Sequence, residues 1–283
     1  MASRVLIVGC GDLGIALASR LCASDFLVTG LSRSAKLLTH PNFTHLIGDV
    51  TRPETLTRLT ELSPEFLIYC VAADTQSDAA YQAQYVNGLK NILVTQVDNP
   101  NLRAIFFVSS TRVYGQITDE WLNESMLPEP TDFGGERLLE AEQVLRDFVG
   151  NPKNCQKTVL RLSGIYGPGR TRMLRMAQAP DWPLQNAWTN RIHRDDAAAF
   201  VAHLVEKVMN NQVLLPCYVV TDSKPAPQWE VLSWLAHEMR VEKNMLTMPP
   251  ISGGKRLSNA VMLASGFQLQ YPDYQTGYAT LFK

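Results

Sequence analysis

The stretch Val5-Leu6-Ile7-Val8-Gly9-Cys10-Gly11-Asp12-Leu13-Gly14 decides the fold. Val5–Val8 is a short apolar run that reads as a strand, the glycines follow at once, and Ile15–Leu21 reads as a helix. Gly9 permits a tight turn out of the strand. Gly11 leaves room for a pyrophosphate against the backbone, and Gly14 lets the helix pack closely on the sheet. The phosphates would then sit at the helix N-terminus, where unpaired N–H groups point outward. A lone G-x-G-x-x-G is weak evidence, but here it follows a strand and opens a helix, which is the context a dinucleotide site requires. Gly9, Gly11, Asp12, Leu13 and Gly14 are therefore assigned to cofactor binding.

Outward from this turn, two periods alternate. Strands are predicted at Phe26–Leu31, His45–Ile47, Phe66–Ala73, Ala104–Ser109 and Thr158–Leu162. Helices are predicted at Leu56–Leu62, Ala79–Val97 and Phe133–Val149, the last with Leu138, Ala141, Val144, Leu145 and Phe148 along one stripe. Strands alternating with helices imply an α/β fold, a doubly wound parallel sheet of the Rossmann type covered on both faces. After Leu162 the pattern breaks: residues 163–194 carry three Pro, three Gly and two Trp. A helix at Asp195–Met209, a strand at Tyr218–Val220 and a helix at Trp229–Met239 follow. The expected organisation is a dinucleotide-binding domain over 1–162 and a small substrate domain over 163–283, partly interleaved with the first.

NAD-preferring sites place an acidic residue about 20 residues beyond the glycines, on the ribose 2′-hydroxyl. Here the second strand ends Gly30-Leu31-Ser32-Arg33-Ser34, with no carboxylate and an arginine in its place. A guanidinium fork pairs well with a 2′-phosphate. Ser32 and Arg33 thus join the cofactor site, with NADP preferred and NAD the alternative; the plain reading of Arg33 is a solvated side chain at a strand end.

Composition narrows the function classes. Of 283 residues, 46% are hydrophobic and 19% charged, which excludes a disordered chain. Lys and Arg number 26 against 27 Asp and Glu, so the basic excess that drives nucleic-acid binding is missing. No apolar run approaches the roughly 20 residues of a membrane span, and the first strand meets glycine too early for a signal-peptide core. Cys10, Cys22, Cys70, Cys155 and Cys217 are odd in number and contain no Cys-x-x-Cys pair, so a disulfide framework is not expected and a reducing cytoplasm is the simplest compartment. The histidines (His40, His45, His193, His203, His237) lack metal-ligand spacing, so no metal is expected.

Further segments carry a resemblance. With Gly9–Gly14 stand Gly48-Asp49-Val50, Val71-Ala72-Ala73, Tyr85-Val86-Asn87-Gly88-Leu89-Lys90-Asn91, Val108-Ser109-Ser110-Thr111-Arg112-Val113-Tyr114-Gly115, Arg161-Leu162-Ser163-Gly164-Ile165-Tyr166-Gly167-Pro168-Gly169 and Arg191-Ile192-His193-Arg194-Asp195-Asp196. In this order the chain resembles the short-chain dehydrogenase/reductase superfamily, in its extended or atypical epimerase/dehydratase branch, over nearly its whole length. The resemblance implies that Asp49, with Val50, contacts adenine, that Ala72 lies beside the cofactor ribose, and that Ser110 is the catalytic serine. It also implies a small-molecule substrate of the nucleotide-sugar class and a homodimer paired through long helices.

One departure outweighs the matches. The family's proton donor and its partner come as Tyr-x-x-x-Lys on one helix face, and the matching positions here are Phe133 and Arg137. No Tyr-x-x-x-Lys occurs elsewhere. Phe133 has no exchangeable proton, while Arg137 can still donate to ribose hydroxyls and stays in the cofactor site. Tyr114 is the nearest phenol by sequence and a substitute acid; Asp132 and Glu136 read as helix N-terminal carboxylates. His193 reads as a hydrogen-bonded turn histidine. Arg170, Arg172 and Arg175 are either a diphosphate-binding cluster or a solvated face, and Trp182 and Trp188 read as packing. Two functions stay open: an atypical NAD(P)-dependent epimerase, dehydratase or oxidoreductase, and a catalytically disabled dinucleotide-binding sensor or regulator. A partner-binding scaffold would be favoured only if no dinucleotide bound.

Overall fold

The computed structural model describes residues 2–35, 38–150, 154–243 and 247–282. A seven-stranded sheet is built from β1 (Arg4–Val8), β2 (Leu27–Ser32), β3 (Phe43–Ile47), β4 (Phe66–Tyr69), β5 (Ala104–Ser110), β6 (Gln156–Leu162) and β7 (Cys217–Val220). Their order across the sheet is β7-β6-β5-β4-β1-β2-β3. The β1–β2, β1–β4, β2–β3 and β4–β5 pairs are parallel. The order reverses between β1 and β4, and such a switch point opens a crevice at the carboxyl ends of the strands. This is the Rossmann-type α/β sheet expected from the alternating periods.

The central strands read as continuous apolar runs because both faces are covered. Leu6, Ile7, Val8, Phe66, Leu67, Ile68, Tyr69, Phe106 and Phe107 are all at most 1% exposed. Each such side chain contributes roughly 1.5–3 kcal/mol of burial free energy, so the sheet interior dominates the stability of this part of the chain.

Helix α1 (Asp12–Ala23) follows the glycine turn. The long helical stretch predicted at Ala79–Val97 is divided: α2 (Asp78–Tyr81), a π-helical turn over Gln82–Asn87, then α3 (Gly88–Val94). The sheet causes this. A Cβ on Gly88 would overlap the Tyr69 hydroxyl and the Val50 side chain, so the helix rides directly on the strands there. The Tyr69 hydroxyl donates to the Gln84 carbonyl, drawing that carbonyl out of the regular ladder. The helix predicted at Leu56–Leu62 is instead two short 3-10 turns, Pro53–Thr55 and Thr57–Glu61, the first opened by Pro53. Helix α4 (Phe133–Asp147) is capped by Asp132, whose carboxylate accepts from Gly135 N–H at 2.9 Å.

The chain divides into two compact units. The first holds Met1–Gly115, Glu129–Arg161 and Ala198–Tyr218; the second holds Gln116–Pro128, Leu162–Ala197 and Val219–Lys283. Most of helix α5 (Arg194–Met209) thus groups with the sheet, and β7 is the strand at the sheet edge beside β6. The second unit is organised on short strands: Gly164–Tyr166 beside Arg191–His193, and Asn186–Thr189 between Ala226–Pro227 and Ile251–Gly254. Its core packs Tyr166, Trp182, Trp229, Leu232, Tyr274 and Tyr278, and Trp182 meets Trp229 edge-on at 5.2 Å. Among the described residues no disulfide, no metal-holding group of His, Cys, Asp and Glu, and no helix long and apolar enough to cross a membrane occurs.

Candidate functional site

The carboxyl ends of β1, β2, β3 and β4 lie in register, and the sequence-named cofactor residues follow them. Val8 is paired with both Leu31 and Tyr69, and Ser32 with Ile47. The three glycines of the first turn have three different surroundings. Gly9 has φ +100°, and a Cβ on it would lie 2.7 Å from the Cys70 carbonyl carbon and the Val71 nitrogen. A Cβ on Gly14 would overlap the Gly9 carbonyl oxygen. Gly11 instead has nothing within 4 Å of the place its Cβ would occupy. The turn is tight where it meets the sheet and open above Gly11, which caps α1 without a side-chain hydrogen bond. An open, uncapped helix N-terminus of this length is a ready anion cradle. The residues present therefore fit a dinucleotide pyrophosphate. Gly11 and Asp12 are exposed around the opening, and Leu13 is buried beneath it.

At the end of β2 the Ser32 hydroxyl donates to the Ser34 carbonyl at 3.0 Å and lies 2.8 Å from His45 Nε2. Arg33 is engaged by a residue the sequence reading passed over. Its Nη1 and Nη2 donate to the two Asp74 oxygens at 2.5 and 2.6 Å. The Arg33 guanidinium, with help from Gln84, holds the Asp74 carboxyl below the usual carboxylate range. After β3, Asp49 Oδ1 accepts from the Thr51 N–H and hydroxyl at 2.9 and 2.7 Å, and Val50 is tied to α3 by Asn91 Nδ2 at 2.8 Å. Ala72 is exposed on the loop beyond β4.

Phe133 lies in a cluster of aromatic and charged side chains. The Arg112 guanidinium lies 5.1 Å from the centroids of both the Phe133 and Tyr81 rings. Phe133 meets Tyr81 edge-on at 5.4 Å. Arg112 Nε donates to both Asp132 oxygens at 2.9 and 3.0 Å, and Nη1 donates to Gln76 Oε1 at 2.9 Å and to the Tyr81 hydroxyl at 2.7 Å. A Cβ on Gly134 would overlap this guanidinium, and one on Gly135 would overlap Pro130 and the Arg112 carbonyl, so Gly134 makes the room for the charged group and Gly135 for the backbone beneath it. Burial alone would raise the Asp132 carboxyl; the Gly135 N–H and Arg112 outweigh it and hold it low. Arg112 and Tyr81 escaped the sequence reading. The available signals were a cation in an otherwise small or apolar strand exit and two glycines at a helix start.

Arg137 sits in the first turns of α4. Its Nε and Nη2 donate to Asp78 at 2.7 and 3.2 Å, and Nη1 to Glu140 at 2.8 Å. These bonds raise its pKa and leave two of its five N–H donors for another partner.

Ser110 ends β5 half-buried, and its hydroxyl accepts from the Arg112 N–H at 3.1 Å, capping the turn Thr111–Val113. Tyr114 is 0% exposed, and its hydroxyl accepts from Arg161 Nη1 at 2.7 Å. Arg161 also donates through Nε and Nη2 to the fully buried Glu142 at 3.0 and 2.7 Å, and the Ser109 hydroxyl donates to Glu142 at 2.7 Å. The Tyr114 phenol is thus built into a buried ion pair.

In the second unit, Arg172 and Arg175 are exposed on the helix Arg172–Gln178, and Arg170 is half-buried. His193 is 1% exposed, accepts from Asp195 N–H at 3.2 Å through Nδ1, and packs on Tyr271 with centroids 4.0 Å apart. Asp222 is fully buried; its N–H donates to the Arg191 carbonyl at 2.7 Å, and burial pushes its carboxyl up to about 7, against the pull of Arg191.

The model of the NAD dependent epimerase/dehydratase family matches residues 5–214. Protein YeeZ of Escherichia coli K12 is 25% identical over 280 residues, covering 95% of this chain and 97% of that protein. A Methylobacillus flagellatus structure assigned as an NAD-dependent epimerase/dehydratase is 48% identical, covers 99% of this chain and 98% of its own, and superposes with a TM-score of 0.88. UDP-glucose 4-epimerase from Brucella ovis, solved with NAD, is 18% identical with a TM-score of 0.79, covering 98% of this chain and 96% of its own. At that identity the likeness is one of fold.

Proposed function

The chain belongs to the NAD dependent epimerase/dehydratase family, and from that premise we propose that it binds a nicotinamide dinucleotide at the Gly9–Gly14 turn and acts on a small molecule of the nucleotide-sugar class without the family's tyrosine-lysine pair. One observation carries the reading: the space above Gly11 is open at an uncapped helix N-terminus, while Gly9 and Gly14 are closed against the sheet. The pyrophosphate would accept from the first N–H groups of α1, and Asp49, Val50 and Ala72 line the adenosine side. Arg137 has two donors to spare for ribose hydroxyls. A bound nicotinamide supplies hydride acceptance and return.

The chain's own contribution at the reacting end is unusual. Ser110 is a donor at the end of β5, and Arg112 stands over the Phe133 ring. A guanidinium in that place polarises a substrate oxygen or holds an anionic group, yet it does not release a proton. General acid-base catalysis contributes about 10²–10⁴-fold, so a site without it turns over slowly on substrates that need proton transfer. The same observation favours a second reading, a dinucleotide-responsive sensor or regulator. Calorimetric titration with NAD+ and NADP+ tests the shared premise. Turnover of a nucleotide-sugar panel, with Ser110→Ala as control, separates the two readings. Serine-dependent turnover supports the enzyme, and binding without turnover supports the sensor.

Two finer points belong to this reading. Arg33 favours NADP, whereas the carboxylate already on it works against that preference. A homodimer is supported by an apolar groove of about 490 Å³ between α3 and α4, where Val94 and Val149 are each 71% exposed. Sedimentation of the chain and of Val94→Glu tests it: a dimer that the variant dissociates is expected.

A further inference from the structure

We propose that Asp74 sets the dinucleotide preference, supplying from the loop after β4 the carboxylate that is missing after β2, and that it discriminates against a 2′-phosphate by occupying Arg33. The inference rests on the dinucleotide site proposed above and names the residue that decides which dinucleotide it takes.

An ion pair between two half-exposed side chains ordinarily does little, because water and side-chain freedom dilute it. This pair is different in construction. The two guanidinium nitrogens meet the two carboxylate oxygens in a fork-on-fork arrangement at 2.5 and 2.6 Å. Asp74 is in turn clamped by Gln84, whose Nε2 donates to Oδ2 at 2.5 Å and whose Oε1 accepts the Asp74 N–H at 2.8 Å. Gln84 is only 8% exposed and lies in the π-helical turn, with its own carbonyl taken by the Tyr69 hydroxyl. One buried amide therefore fixes both the backbone and the carboxylate of Asp74. The carboxylate cannot swing away when another anion approaches Arg33.

The two dinucleotides meet this pair differently. A ribose 2′-hydroxyl is neutral and can donate to a carboxylate, the contact that an acidic residue after the second strand ordinarily provides. Asp74 offers that acceptor while Arg33 stays paired. A 2′-phosphate carries close to two negative charges. To reach Arg33 it must displace a fixed carboxylate and then remain beside it. The pair Arg33–Asp74 has no net charge to offer, so the arginine alone does not make the site selective for NADP.

The test compares dissociation constants of NAD+ and NADP+ by calorimetry for the parent, Asp74→Asn, Arg33→Ala and the double variant. Asp74→Asn keeps the shape and the Gln84 contacts but removes the charge. The parent is expected to bind NAD+ at least as tightly as NADP+. In Asp74→Asn the preference should move toward NADP+ by about tenfold or more, the size of one charge-assisted bond. The double variant should lose that gain, because the effect acts through Arg33. The fragments 2′,5′-ADP and 5′-AMP, titrated into the same proteins, should repeat the shift with the nicotinamide half absent. Binding of both dinucleotides with a ratio within twofold of the parent in Asp74→Asn overturns the proposal and leaves the site reading intact. A gain that persists in the double variant also overturns it. Absence of any dinucleotide binding in the parent overturns the site reading together with the proposal.

Discussion

Gly11→Val and Gly14→Ala, two residues of one turn, should fail in opposite ways. Gly11 has extended backbone, φ -75° and ψ -162°, and an open space where a side chain would project. The fold feels the valine only as the loss of a favoured helix cap, about 1 kcal/mol, or roughly 2–4 °C in melting temperature for a unit of this size. The cofactor feels it far more. The side chain fills the approach to the α1 N-terminus, and two charge-assisted bonds at about 1.5–3 kcal/mol each correspond to roughly 10²–10⁴-fold in affinity. Gly14→Ala drives a Cβ into the Gly9 carbonyl and to 3.3 Å from Cys70 Sγ. The helix must then lift off the sheet, at a cost of about 1–3 kcal/mol or more, because packed backbone does not yield. Circular-dichroism melts and NAD+ and NADP+ titrations on both variants are the assay. Affinity of Gly11→Val within threefold of the parent would refute the pyrophosphate cradle. A larger melting loss in Gly11→Val than in Gly14→Ala would refute the assignment of open and closed glycines.

Other outcomes follow from the same geometry. Glu142→Gln should leave the Arg161 charge uncompensated in the interior and cost about 3–5 kcal/mol, seen as a melting temperature lower by on the order of 10 °C. Tyr114→Phe should cost about 1–3 kcal/mol by orphaning Arg161 Nη1, with dinucleotide affinity unchanged; lost affinity would return the phenol to the site. Arg112→Ser with Phe133→Tyr and Arg137→Lys should give turnover on a nucleotide-sugar panel where Phe133→Tyr with Arg137→Lys alone gives less, because Arg112 lies over the ring; equal rates would discount Arg112. Asp222 stays protonated in the folded chain up to about pH 7, while an unfolded aspartate releases its proton near pH 4. Folding thus takes up a proton between these values, so this group's stabilisation is lost as pH rises from about 4 to 7. Melting temperatures should fall from pH 5 to pH 8, and Asp222→Asn should flatten that fall; a parallel fall in the variant would exclude Asp222 as its source.

The legible part of the sequence was the part governed by local periodicity and by backbone need. The apolar runs gave away the parallel strands because both faces of the sheet are covered, and the spacing of the first-turn glycines is legible within ten residues, whereas the Cys70 and Val71 backbone that closes on Gly9 lies far along the chain. What stayed hidden depends on pairs distant in the chain. Arg33 reads as an unattached cation until the fold brings Asp74, 41 residues on, to within 2.5 Å. Tyr114 reads as available because it lies four positions after Ser110, but the strand exit turns it into the core toward Arg161. Phe133 and Arg137 are plain in the sequence, but only side-chain packing places the Arg112 guanidinium over the Phe133 ring. The π-helical turn was invisible for the same reason, since Tyr69 and Val50 press on it from outside the helix.

That turn has a bearing on how this part of the chain tolerates insertions and deletions. A π turn holds one residue more than an α turn, so it advances the helix phase by about 100° without lengthening the axis much. Upstream of it, Asp78 and Tyr81 face Arg137 and Arg112; downstream, Gly88 faces Tyr69 of the sheet and Asn91 donates to the Val50 carbonyl. Both sets hold at once only because of the extra residue. Removing one residue between Gln82 and Asn87 would let the segment rewind as a plain α-helix anchored by Gly88, and everything before it would rotate. Asp78 would leave Arg137, Tyr81 would leave Arg112, and Gln84 would release Asp74. The helix thus behaves as a key cut for two locks, and a single-residue deletion there would disengage Arg137 and Arg112 and loosen the clamp on Asp74 while the strands beneath kept their places.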